Sequence, residues 1–125
     1  MSRIRPGRSQ RADTGAATAE LALGIPLLVA LTAGLVWMLA LGAAQVRVID
    51  ASREAARAVA RGDDLASAES LALRIAPDDA RVRIEVGDSQ VLVSTRARVT
   101  GPGGLLASLP GVTLSFEAVA LVEEQ

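Results

Sequence analysis

A single carboxylate, Glu20, stands at the entrance of a long apolar run, five residues after Gly15, in the stretch TGAATAELALGIPLL (residues 14–28). An acid there has three possible uses. It can be an interfacial charge near a helix N-terminus, where the helix dipole favours it by about 0.3–1 kcal/mol. It can be a proton-pathway group, the common role of an intramembrane acid, but the run that follows holds no second ionisable residue to relay a proton. Or it can be neutralised by a cation made later. Cleavage after Gly15 would make one: Ala16 would carry a free amine with a reference pKa of about 7.7–8.0, four residues from Glu20 on the same helical face. Two such helices can pair amine with carboxylate in a low-dielectric bundle, where the attraction far exceeds its value in water. An unpaired charge there costs about 3–5 kcal/mol, so the pairing would also set the stagger between subunits.

Other chemistry finds little support. The chain of 125 residues has no His and no Cys, and all 13 of its basic residues are Arg. The commonest general base and the commonest nitrogen metal ligand are therefore missing, and no disulfide can staple a small domain. Asp63-Asp64 and Asp78-Asp79 lack the loop spacing of a dedicated calcium site. TGPGG at 100–104 precedes no βαβ unit and reads as a connection rather than a phosphate loop. With only Trp37 and Phe116 as aromatics, there is no platform for stacking bases or sugars. The expectation is a non-enzyme with no cofactor, no metal site and no nucleic-acid partner.

The element that positions Glu20 is legible. Residues 21–46 carry no charge, and at about 1.5 Å per residue they make roughly 39 Å of helix, enough for the ~30 Å core of a bilayer. Charge is placed unevenly around this run. Residues 1–15 hold Arg3, Arg5, Arg8 and Arg11 against Asp13 (4 − 1 = +3), whereas residues 16–125 hold nine Arg and 13 acids (9 − 13 = −4). A basic flank predicts the N-terminus inside and the C-terminal part outside the cytoplasmic membrane. A nucleic-acid-binding arm is the weaker reading of that flank, because it abuts a membrane segment. A cleaved secretory signal is another rival, since Gly42 and Ala44 before Gln45 are suitably small, but a signal's apolar region spans only about 7–15 residues. Within the run, Pro26 removes a hydrogen bond to Ala22 and should kink the helix. Ala22, Pro26, Ala30 and Gly34 recur every four residues, a row of small groups against which another helix can approach closely.

These residues resemble a known family. A basic leader ending in glycine (Gly15), four residues (Ala16-Ala17-Thr18-Ala19), Glu20 and an uninterrupted apolar helix form the class III signal of type IV pilin-like proteins. VRVIDASREAARAVARG (46–62) is similar to the Ala/Arg-rich helix that follows the membrane segment in TadE-like minor pilins of the tight-adherence (Flp) pilus system, and SFEAVALVEE (115–124) adds to the likeness. The resemblance implies a prepilin-peptidase cut between Gly15 and Ala16, with Glu20 as the assembly glutamate. It implies other pilin-like subunits, the peptidase, the tight-adherence assembly platform and the lipid bilayer as partners, and an end state at the pilus or cell surface. Leu21 stands where Flp-type signals usually carry Phe or Tyr. A major Flp pilin is little more than its helix, so the long segment after residue 62 favours a minor pilin or pseudopilin.

Beyond the membrane the helical period continues to Arg61. Val48/Ile49, Ser52, Ala55/Ala56 and Val59 line one face; Arg47, Asp50, Glu54, Arg57 and Arg61 line the other. Asp50–Arg53 and Glu54–Arg57 have ion-pair spacing. Gly62 suits a helix C-terminus and Asp63 or Asp64 a new N-cap. Leu65, Ala68, Leu71/Ala72 and Ile75 give a short helix that Pro77 ends. Then comes alternation: Val82, Ile84 and Val86 point one way, Gly87-Asp88 makes a tight turn, and Val91, Val93, Thr95, Ala97 and Val99 follow on one face. A Gly/Pro-rich loop at 100–111, with a short turn at Leu105–Leu109, leads to a last strand over 112–122 with Leu114, Phe116, Ala118 and Ala120 inward.

The expected class is α+β: a long N-terminal transmembrane pilin-like helix, a short helix and a small three-stranded antiparallel sheet. The expected divisions are a basic leader (1–15), a long helix (16–61, with 21–46 in the membrane) and a small extracytoplasmic head (62–125). A head of that size is marginal alone, so its sheet should pack on the Val48–Val59 face. The function expected is a processed minor pilin. The alternatives are an unprocessed single-span anchor whose ectodomain binds an envelope partner, and an exported domain cut near Gln45.

Overall fold

The computed structural model describes residues 8–101, 103 and 107–122. Arg3 and Arg5 of the leader, Leu105 of the expected loop turn, and Glu123 and Glu124 of the closing motif lie outside the described residues. Five elements follow in order: α1 (Arg8–Ala60), α2 (Leu65–Ile75), β1 (Arg81–Val86), β2 (Gln90–Val99) and β3 (Val112–Leu121). This is the α+β arrangement read from the sequence. The chain divides into two compact units, Met1–Val36 and Trp37–Gln125.

The described part of the first unit is helix. It begins at Arg8 rather than at the expected Ala16, because no proline stands between them and the weakest former there, Gly15, costs only about 1 kcal/mol relative to alanine. The helix also runs on through Pro26. Leu21, Leu23, Ile25, Leu27, Leu28, Val29, Leu31, Leu35 and Val36 are all exposed.

In the second unit, α1 ends in a glycine cap. Gly62 has φ +99, its N–H donates to Val59 O at 3.0 Å, and Asp63 N–H donates to Ala58 O at 3.0 Å. That pair of bonds is the Schellman motif, which satisfies the last carbonyls of the helix and calls for a left-handed residue. Asp64, one of the two acids proposed, caps α2: its carboxylate accepts from Ser67 N at 3.0 Å and Ser67 Oγ at 2.7 Å. These bonds hold its carboxyl below the ordinary value of 3.8, the Ser67 hydroxyl first and the Ser67 N–H second. Ala76, extended at φ −62 and ψ 159, closes α2; the residue before a proline is driven out of helical geometry. Asp79, at φ 61, carries the turn into β1.

The sheet has the order β1-β2-β3, antiparallel throughout, with Val82↔Thr95 and Thr95↔Phe116 in register. Its inner face packs on the Val48–Val59 face of α1, as expected, and also on α2. The core holds Ala51, Ala55, Ala56, Ala72, Ala76, Val91, Val93 and Ala118, flanked by Val59, Ile84 and Phe116. Alanine dominates, so the helix backbones lie close to the sheet. Val86 departs from the alternation and is exposed, since it sits at the strand's end beside the turn. Glu54–Arg57 is paired at 3.7 Å, but Arg53 turns away from Asp50 and lies over the Phe116 ring, 5.5 Å from its centre, a cation–π contact.

One polar group crosses this core. Ser52 Oγ lies 2.7 Å from Thr95 Oγ1, 3.2 Å from Phe116 O and 3.1 Å from Val48 O, with Ser52 and Thr95 fully buried. One hydroxyl thus ties α1 to both β2 and β3. Each residue was placed on an inward face from sequence, but their pairing depends on which turn of α1 meets which row of the sheet.

Candidate processing and assembly site

Gly15, Ala16 and Glu20 all lie on α1 and are exposed. Four residues of helix separate Ala16 from Glu20, a rise of about 6 Å. Thr18, between them, returns its hydroxyl to Thr14 O at 2.9 Å, which removes that side chain as a partner for Glu20. Among the described residues Glu20 has no ion pair. In the intact chain Ala16 N is a helical amide, not an ammonium, so no cation stands one turn before the acid.

Ala22, Pro26 and Ala30 are exposed and Gly34 is half-buried. They form an i+4 row, inclined about 26° to the helix axis, the geometry of a ridge or groove in helix packing. A Cβ placed on Gly15, Gly24 or Gly34 would meet nothing within 4 Å. No contact among the described residues therefore requires these glycines. Thr32 donates its hydroxyl to Leu28 O at 2.8 Å, which hides its polarity within the apolar run. The helix is long and apolar enough to cross a membrane, and its most apolar 18-residue stretch is only 6% buried. It is compatible with membrane anchoring.

A family model described as TadE-like protein matches residues 15–57. The match begins at Gly15, contains Glu20 and the whole small-residue row, and ends before α2; it agrees with the resemblance drawn from these residues. The chain is also 42% identical over 79 residues to a Mycobacterium tuberculosis (strain ATCC 25618 / H37Rv) protein named Apoptosis inhibitor Rv3655c; the similar region covers 63% of this chain and 57% of that protein. This chain thus spans a little over half the length of the curated relative it matches. No solved structure matches.

Proposed function

With residues 15–57 taken as a TadE-like segment, we propose that the chain is a minor pilin or pseudopilin of a tight-adherence pilus, cut between Gly15 and Ala16 by a prepilin peptidase. The observation that carries this reading is Glu20, an unpaired carboxylate at the start of an exposed apolar helix. Cleavage supplies the missing cation. The Ala16 amine and the Glu20 carboxylate of neighbouring helices then neutralise each other, and the Ala22–Gly34 row lets those helices approach. Before cleavage the basic leader holds the N-terminus at the cytoplasmic face, and the head lies outside.

Mass analysis of the chain recovered from its native membrane tests the processing step. A start at Ala16 supports it. A start at residue 1 or 2 leaves an unprocessed single-span anchor, and a start at Gln45 an exported domain; either result overturns the proposal. Glu20→Gln separates cutting from assembly. It should leave the Gly15–Ala16 cut in place and abolish recovery in sheared filaments. Normal recovery would sink the charge-pairing mechanism.

A further inference from the structure

The outer face of the sheet carries a group of arginines that form no ion pair among the described residues. Arg81 and Arg83 on β1, and Arg96 and Arg98 on β2, are all exposed. Arg81 and Arg96 are direct cross-strand partners, an arrangement of like charges that weakens a sheet. Together with Asp79 and Thr113 they line an open cleft of about 620 Å³, within the ~300–1,000 Å³ range of ligand clefts. Within the lining, one acid against four guanidinium groups leaves 4 − 1 = +3; Glu85 and Glu117 lie on the same outer face beyond it, and none of the four arginines has a carboxylate within ion-pair distance among the described residues. Gly111 makes room for this grouping: a Cβ there would stand 2.6 Å from Arg98 Nε.

We propose that this face binds an extended acidic segment of a partner protein, added as a strand at the free edge of β1. Three observations select that chemistry. First, β1 is an edge strand, and no other described element makes a backbone hydrogen bond to it. Second, residues two apart on a strand repeat every ~6.7 Å on one face. A partner strand with acids at alternate positions therefore sets its carboxylates beside Arg81 and Arg83, with Arg96 and Arg98 one strand further in. Guanidinium forks bind carboxylates in bidentate fashion. Main-chain bonds to the edge supply affinity and the arginines select the side chains. Third, no aromatic ring lines the cleft, which disfavours nucleic acid or glycan. This deepens the proposed function by giving an assembly subunit a recognition face on its head. Its test uses the uncut chain and does not depend on processing.

The test is fluorescence anisotropy on the full-length chain in neutral detergent. The probe is a labelled octapeptide of alternating glutamate and threonine; the comparator has the same residues as a block of glutamates followed by a block of threonines. The alternating probe should bind about tenfold tighter, and Arg96→Gln with Arg98→Gln should weaken it by about tenfold or more. Arg96→Lys with Arg98→Lys keeps the charge but loses the forks, and should erase the preference for alternation. N-methylation of the probe's amides should abolish binding. Arg57→Gln, outside the cleft, should change nothing. The glutamine variants should unfold at an unchanged or higher temperature, because Arg81 loses its like-charged neighbour. Equal binding of the two peptides, displacement by tripolyphosphate at matched charge, or an unaffected glutamine variant would each overturn the assignment.

Discussion

The two units spend the same residue types in opposite ways. In Met1–Val36 the large aliphatic residues of α1 face outward, Leu28 at 63% exposure. In Trp37–Gln125 alanines and valines are buried, and Val119 is left at 58% exposure on the outer face of the sheet. Equal exposure carries unequal meaning. Around residues 21–36 of α1 the apolar surface is continuous, the pattern a membrane-spanning helix needs. On the sheet, apolar positions are interleaved with Arg96, Ser115 and Glu117, as water allows. The lesson is that burial within one chain does not say which solvent a residue was chosen for; the arrangement of its neighbours does.

The sharpest way to break that comparison is to place one charge in each setting. Leu28→Arg should cost about 2.5–3.5 kcal/mol of membrane insertion, read as loss of the alkali-resistant membrane fraction. Val119→Arg, at nearly the same exposure, should shift head stability by no more than about 0.5 kcal/mol. If both variants behave alike, Leu28 and Val119 face one solvent and the membrane reading fails.

Within the head, Ser52→Ala strands the buried Thr95 hydroxyl and should cost about 1–3 kcal/mol. Adding Thr95→Val should recover most of that loss, because removing both partners of a buried bond is nearly neutral. Denaturant unfolding of the detergent-solubilised chain measures both. Gly62→Ala forces a side chain into a left-handed residue and should cost about 1 kcal/mol. The smallest effect belongs to Asp64. Its carboxyl is lowered in the folded chain, so its contribution is present above the ordinary carboxylate range and lost as pH falls through the depressed value. Asp64→Asn, which keeps a capping oxygen without the charge, should flatten the low-pH limb of a stability profile and change little at neutral pH.

Legibility from sequence followed the length of each pattern. The charge-free run, the α2 stripe and the alternation of β1 and β2 were readable because several residues repeat one period. Gly15, Ala16 and Glu20 stand out as candidates because a carboxylate beside an apolar run calls for a reason. What escaped depends on docking. Ala51, fully buried, was passed over beside Val48 and Ser52, since alanine gives no strong signal by itself. The Ser52–Thr95 bond joins residues 43 apart and needs the helix-to-sheet register. The arginine cleft needed strand pairing: only β1–β2 registration sets Arg81 opposite Arg96 and turns four scattered cations into one face.

That α1 runs unbroken through Gly15 and Ala16 carries a kinetic consequence. A peptide bond inside a helix is closed to a protease, which grips extended backbone, so the proposed cut between Gly15 and Ala16 would require the helix to melt locally first. Glycine at that junction, in place of alanine, makes the melting easier by about 1 kcal/mol. The rate of maturation would then be governed by how readily one turn unravels, and a stiffer turn would delay it even with every recognition residue intact.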